Sequence, residues 1–157
     1  MAKGTPPKES HKIVAQNRKA RHDYHILDVF QAGIVLTGSE VKAIREGGAN
    51  FKDSYAAIER GELFLLECHI SPYSHGGYAN HEPTRPRKLL MHKREIMKLF
   101  GKLQTRGLTL VPLRMYFVRG KVKVDIALAQ GKKQYDKRED IKKRDIDREM
   151  RHADKYR

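Results

Sequence analysis

Leu108-Thr109-Leu110-Val111-Pro112-Leu113-Arg114-Met115-Tyr116-Phe117-Val118, then Arg119-Gly120, then Lys121-Val122-Lys123-Val124-Asp125-Ile126-Ala127-Leu128-Ala129, is the stretch that decides the fold. Its second half alternates, with Val122, Val124, Ile126 and Leu128 on one side and Lys121, Lys123 and Asp125 on the other. That period of two marks a half-buried strand. Arg119-Gly120 between two β-rich runs reads as a tight antiparallel connection. Upstream, residues 54–58 and 63–68 flank Glu59-Arg60-Gly61-Glu62, a second hairpin pattern. Residues 24–36 read as extended, with Ile26, Leu27, Val29 and Phe30, then Ile34, Val35 and Leu36 around Gly33. Thr37 and Glu40 form a Thr-x-x-Glu capping box ahead of Val41 and Ile44, so a helix starts there and stops at Gly47-Gly48. Residues 92–103 have helical spacing, with Ile96, Leu99, Phe100 and Leu103 on one face. Between the hairpin and this helix, residues 71–86 form a long loop punctuated by Pro72, Gly76, Gly77, Pro83 and Pro86. The expected fold is mainly β: a small antiparallel barrel of the oligonucleotide-binding (OB-fold-like) type, with about six strands and two or three inserted helices.

Outside this body, composition changes. Residues 1–16 are polar and read as a flexible N-terminal arm, residues 17–131 as the body, and residues 132–157 as a basic tail. The 157-residue chain carries 33 Lys and Arg against 19 Asp and Glu, a net charge of +14. An excess of that size opposes compaction and points to a polyanionic partner, since phosphate binding is driven by counterion release. No apolar run is long enough to span a bilayer, and no amphipathic segment has a broad apolar face, so a membrane partner is not expected. Met1-Ala2-Lys3-Gly4-Thr5-Pro6-Pro7 lacks a following apolar segment, so no signal peptide is expected. With Cys68 alone, no intrachain disulfide can form, which fits a reducing cytoplasm.

Catalytic and metal patterns are not found. His69, His75 and His81 recur every six residues beside Cys68, without the close ligand pairs of a zinc site. They read as a polar contact surface. Gly-x-Ser-x-Gly, phosphate-loop and dinucleotide fingerprints are missing, and the acids of the body are scattered. Cys68, inside a strand, reads as a small core hydrophobe. An enzyme is not expected, and neither is a cofactor.

Basic clusters are dense instead. Residues 84–106 hold Arg85, Arg87, Lys88, Lys93, Arg94, Lys98, Lys102 and Arg106 against the single acid Glu95, with His92 among them. A merely solvated helix face would mix its signs. Asn17-Arg18-Lys19-Ala20-Arg21 precedes the first strand of the body, with Tyr24 placed to stack on a base. Gly131-Lys132-Lys133 leaves the last strand in the same manner. Glu40 has two readings: the capping box accounts for it, and a carboxylate can also accept from a base or a 2′-hydroxyl.

These motifs together resemble the SmpB family of SsrA-binding (tmRNA-binding) proteins, from about residue 11 to the end. The resemblance is carried by Asn17 to Arg21 with Tyr24 and Ile26, Gly38-Ser39-Glu40-Val41-Lys42, His69-Ile70-Ser71-Pro72-Tyr73, Arg87 to Glu95, Gly107 to Tyr116, Lys123 to Ala129, and Gly131-Lys132-Lys133 with Tyr135-Asp136-Lys137-Arg138. It implies an OB-type barrel that holds the tRNA-like domain of tmRNA. It also implies delivery with elongation factor EF-Tu to stalled ribosomes, whose empty message channel the tail enters. By motif it assigns RNA contact to Asn17, Lys19, Arg21, Glu40, Lys42, Lys88, His92, Lys93, Lys132 and Lys133. It assigns contact with small-subunit ribosomal RNA to Tyr135, Asp136, Lys137, Arg138 and the tail beyond. Tyr135 stands where relatives often have His, and the tail lacks the Trp that many relatives carry.

The tail's own pattern agrees. Glu139–Lys143, Asp140–Arg144 and Asp147–Arg151 are acid-to-base pairs four apart, each worth about 0.3–0.5 kcal/mol in a helix. Ile146, Met150 and Ala153 make only a thin apolar stripe, too little to offset about 1–2 kcal/mol of backbone entropy per residue. The expected tail is disordered when free and helical on the ribosome, and the expected protein is a monomer. The rival readings are a general RNA-binding barrel without a ribosomal role, and a nuclease or modifying enzyme whose site escapes pattern.

Overall fold

The computed structural model describes residues 12–77, 80–132 and 134–155. Nine strands and four helices follow in order: β1 (Lys12–Gln16), α1 (Ala20–Asp23), β2 (Tyr24–Ile34), α2 (Gly38–Arg45), β3 (Ala49–Asn50), β4 (Tyr55–Glu59), β5 (Glu62–Leu66), β6 (His69–Ile70), β7 (Arg87–Leu90), α3 (Lys93–Leu103), β8 (Leu108–Val118), β9 (Lys121–Gly131) and α4 (Gln134–Lys155). One antiparallel sheet runs β1-β8-β4-β5-β7-β2-β9, and β8 also pairs with β9. Six strands thus form a ring closed through β8 and β9, with no free edge between them. β1 joins from outside, along β8 at residues 114–117, while β4 meets β8 further back, at Leu110. The short β3 and β6 pair separately. The strand count exceeds the expected six because β1, β3 and β6 are too short or too polar to announce themselves.

Local chemistry fixes the turns. Arg60-Gly61 and Arg119-Gly120 each join strands as two-residue loops with φ positive at both positions. That is the mirror-image turn whose twist matches a hairpin, and glycine meets its requirement at the second position without strain. α2 begins at the capping box: the Thr37 N–H donates to Glu40 Oε1 at 2.9 Å, and the Glu40 N–H to Thr37 Oγ1 at 3.4 Å.

The core fills the ring. Leu63 and Leu65 of β5, Leu89 of β7, Ala32 of β2, Met115 of β8, and Val124 and Ile126 of β9 are all buried there. Ile44 of α2, and Ile96 and Leu99 of α3, pack onto them. Phe100, grouped with that face by its spacing, is instead 52% exposed, and Met97 is 66% exposed. Only a narrow stripe of α3 fits against the ring, and Phe100 falls off its edge. A second, smaller cluster lies on the outer face, where Ala20 packs with Val111, Leu113, Ala127 and Ala129, flanked by Tyr24 and Ile26. It pins the Asn17–Arg21 motif onto the ring. Composition assigns residues 12–16 to a flexible arm, but β1 pairing ties them to β8; residues 1–11 lie outside the described residues.

The tail is helical as α4, the conformation expected of it on the ribosome. Its acid-to-base spacing and freedom from Gly and Pro favour a helix. Arg138 and residues 141–151 are exposed throughout, so packing contributes little.

The two α3 positions can be told apart by experiment. Leu99→Ala should cost about 2–5 kcal/mol and Phe100→Ala under about 1 kcal/mol in equilibrium urea unfolding. Equal losses would place Phe100 in the core.

Candidate nucleic-acid interface

Two surfaces gather the exposed body cations that the sequence assigns to RNA contact. The first is built on the outer cluster: Ala20 is held down, while Arg18, Lys19 and Arg21 stay exposed around it. Lys132 arrives at the same place, because its N–H donates to Asp23 O at 2.9 Å and its Nζ to Arg21 O at 3.2 Å. The first and last basic motifs of the body therefore share one end of β2, where Tyr24 pairs with Gly131. Tyr24 is half-buried beside them. Lys133 lies outside the described residues.

The second surface lies at the other end of β2, where Gly33 pairs with Leu90 of β7. Nine steps along β2 separate the two ends by up to about 30 Å. Here Lys88, His92, Lys93 and Arg94 are exposed. Lys88 pairs with Glu62 at 3.1 Å, an exposed contact worth at most about 1 kcal/mol and readily exchanged for a phosphate. Lys93 and Arg94 occupy the first turn of α3, where the helix dipole already favours anions and disfavours cations. Lys42, also exposed, sits over the Tyr73 ring at 5.4 Å.

Three residues assigned to RNA contact are placed otherwise. Glu40 and Arg87 are both fully buried, and each serves the other. The Glu40 carboxylate accepts from Arg87 Nε, from Arg85 Nη2, and from Arg85 Nε at 3.2 Å. Arg87 spends its remaining donors on Cys68 O at 2.6 Å and Pro83 O at 3.0 Å. His81 bridges the same region, with Nε2 on Ile70 O and Nδ1 on Ser39 Oγ, both at 2.9 Å. Burial pushes the Glu40 carboxyl up, but the hydrogen bonds from Arg85, the Thr37 backbone and Arg87 outweigh it and bring its pKa down to about 2. The spacing of β7 held the signal: Arg87 and Leu89 are two apart on a strand, and Leu89 points inward.

Asn17 is the third. Its Nδ2 donates to Pro112 O at 3.0 Å and its N–H to Leu113 O at 2.7 Å. Those carbonyls flank the bulge at which the β8–β9 register slips between Pro112 and Arg114. Asn17 thus ties the N-terminal motif to β8 at the bulge.

Past that bulge stands Arg114, which lies outside every basic run of the sequence. Its Nε donates to Asp125 Oδ2 at 2.6 Å, and its guanidinium sits 4.8 Å from the Tyr116 ring centre. The Tyr116 hydroxyl donates to Asp125 Oδ1 at 2.6 Å and accepts from Gln31 Nε2 at 2.7 Å. Asp125 does face outward as its alternation predicts, yet this network leaves it only 8% exposed.

In the tail, Ile141, Ile146, Met150 and Arg138 are exposed, and the side chains of Tyr135, Asp136 and Lys137 lie outside the described residues. Cys68 is buried, which raises its thiol pKa to about 11. Among the described residues, no three His, Cys, Asp or Glu side chains gather as metal ligands do, and no helix is long and apolar enough to cross a membrane.

Residues 14–156 match the family model described as SmpB protein. The SsrA-binding protein of Syntrophobacter fumaroxidans is 61% identical over 142 residues, covering 90% of this chain and 88% of that one. That of Desulforudis audaxviator is 59% identical, covering 93% and 95%. That of Desulforamulus reducens is 52% identical and covers 99% of both. A chain of the solved structure described as "tmRNA-SmpB: a journey to the center of the bacterial ribosome" superposes with a TM-score of 0.65 at 53% identity, over 76% of this chain and 84% of that one.

The Glu40 site has an acid signature. Because the folded carboxyl titrates near 2, below its ordinary 4.5, its stabilising contribution is complete above pH 4.5 and is lost as pH falls towards 2. Glu40→Gln should cost about 3–5 kcal/mol at neutral pH and flatten the stability curve across that acid window, as read by urea unfolding at stepped pH. An unchanged acid limb would mean that Glu40 is not the titrating group.

Proposed function

The chain belongs to the SmpB family, and on that premise we propose that it binds the tRNA-like domain of tmRNA (SsrA RNA) and delivers it to stalled ribosomes for trans-translation. It acts as a cytoplasmic monomer, with EF-Tu in the delivery complex and small-subunit ribosomal RNA as the tail's target. It performs no chemistry of its own.

The observation that carries this reading is the pair of exposed cationic surfaces at opposite ends of β2, held on a rigid ring. A flexible basic tail would suit any polyanion. Two fixed patches up to about 30 Å apart suit a folded RNA whose phosphates keep a set spacing. Arg18, Lys19, Arg21 and Lys132 take one part of that RNA; Lys88, His92, Lys93 and Arg94 take another. A phosphate at the start of α3 relieves the cations crowded on a positive helix end. The ring serves as the OB-type barrel of the family, with closure through β8 and β9 supplying the rigidity.

The tail does a different task. We read α4 as the form it takes in the empty message channel. Off the ribosome its exposed apolar side chains leave the helix marginal, and ordering against ribosomal RNA supplies the missing contacts. Tyr135, Asp136, Lys137 and Arg138 act at the decoding centre, and Ile146 and Met150 are the apolar anchors further along.

The RNA reading is tested by gel-shift: the tRNA-like fragment of SsrA RNA should bind at least about tenfold more tightly than an ordinary tRNA at matched salt, and equal binding would favour a general RNA binder. For the tail, replacing Asp136, Lys137 and Arg138 together by Ala lowers net charge by only one. That variant and Met150→Asp should each abolish tag transfer in a purified stalled-translation assay while leaving the gel-shift at the parent affinity. Tagging at the parent rate by both would reduce the tail to a charged tether.

A further inference from the structure

The bulge on β8 has set an arginine beside the N-terminal motif. Asn17, Arg18, Arg21 and Arg114 line one groove of about 540 Å³, together with Val29, Leu113 and Asp125. We propose that Arg114 is an RNA-contacting residue, clamped by Asp125 and Tyr116 so that its guanidinium completes a phosphodiester-binding groove with Arg18 and Arg21. This deepens the RNA-binding reading and rests on it.

The clamp is specific. Asp125 takes only Nε of Arg114, and the described residues supply no hydrogen-bond partner for Nη1 or Nη2. Those two nitrogens form the fork that matches two phosphate oxygens. The side chain is 40% exposed, so a ligand can reach it. Its orientation is fixed twice, by the carboxylate at 2.6 Å and by the Tyr116 ring beside it. The chain of hydrogen bonds from Gln31 through Tyr116 to Asp125 holds the clamp itself. Tyr116 remains a donor, since burial, followed by the hydrogen bond to Asp125, raises its pKa above the ordinary phenol value. A fold that needed only an outward-facing ion pair would not need such bracing at a half-exposed position. A preorganised guanidinium loses less freedom on binding than a mobile one, which is the use such bracing has.

The groove also has the right sign. Asp125 is committed to Arg114 and Tyr116, while Arg18 and Arg21 are exposed at the rim. Asn17 is committed to the bulge carbonyls and acts here as a positioning residue, fixing the motif against β8.

The test is a gel-shift salt series with the tRNA-like fragment of SsrA RNA, beside thermal melts, for Arg114→Ala, Arg114→Lys, Asp125→Asn and Arg21→Ala. Arg114→Ala should weaken binding about tenfold or more and lower the salt slope by about one. Arg114→Lys keeps the charge and loses the fork, so it should restore the slope yet remain about fivefold weak or worse. Asp125→Asn raises the net positive charge, so general attraction would tighten binding; the clamp requires it to weaken instead. Parent affinity in Arg114→Ala with weakened Arg21→Ala overturns the inference and leaves the RNA reading standing. Parent affinity in Arg114→Lys overturns the clamp. Parent affinity in both Arg21→Ala and Arg114→Ala overturns the groove as an RNA site, whereas the RNA reading itself stands or falls on the comparison with ordinary tRNA. If Arg114→Ala or Asp125→Asn melts early, Arg114→Lys decides.

Discussion

A carboxylate shut away from water, with two guanidinium groups against it, governs how the irregular half of this molecule lies on the regular half. Burying such ions costs several kcal/mol each unless every donor and acceptor is matched. Here the matching is dense: Glu40 caps α2 through Thr37, Arg85 and Arg87 close on its oxygens, and Arg87 reaches on to the carbonyls of Cys68 and Pro83. Glu40 and Arg87 together tie α2 to β7, to the link between β5 and β6 at Cys68, and to the loop of residues 71–86. That loop has too little apolar content to hold itself down. Without the hub, the basic end of β7 and the start of α3 would lose their fixed relation to the rest of the ring.

The outer face follows the same logic in a milder form. Pro112 cannot donate to a ladder, and the register slips beside it. Asn17 binds the carbonyls of Pro112 and Leu113, and Arg114 just beyond them lines the same groove as the motif that Asn17 belongs to. Polar groups that would be costly in isolation are used to fix cations in place.

Much of the fold was legible because its signals are local. The capping box at Thr37, the two Arg-Gly hairpin turns and the alternation of β9 all act within a few residues, and each is where the sequence puts it. What was not legible depends on distant partners. Nothing near Glu40 announces Arg85 and Arg87, 45 and 47 positions away. Basic density marked residues 84–106 as a surface, and a strand then turned one of its arginines inward. Arg114 stands alone among apolar neighbours, outside every basic run, and only its contacts with Asp125 and Tyr116 reveal its clamp. Phe100 shows the limit of periodicity: spacing names a face, and only the partner's shape sets how wide a stripe of it is covered.

The ring closes late. β1 at residues 12–16 pairs with β8 at residues 114–117, and β2 finds its longest partnership in β9. During synthesis, therefore, the first strands of the body must wait until β8 and β9 have been made. Contacts so distant along the chain also slow folding, since loop closure precedes the gain. A nascent chain cut short before Lys121 lacks the strand that seals β2 to β8, and it would leave two unpaired edges exposed to aggregation and proteolysis. Synthesis through β9 is thus built into the topology as a condition for holding the body together at all.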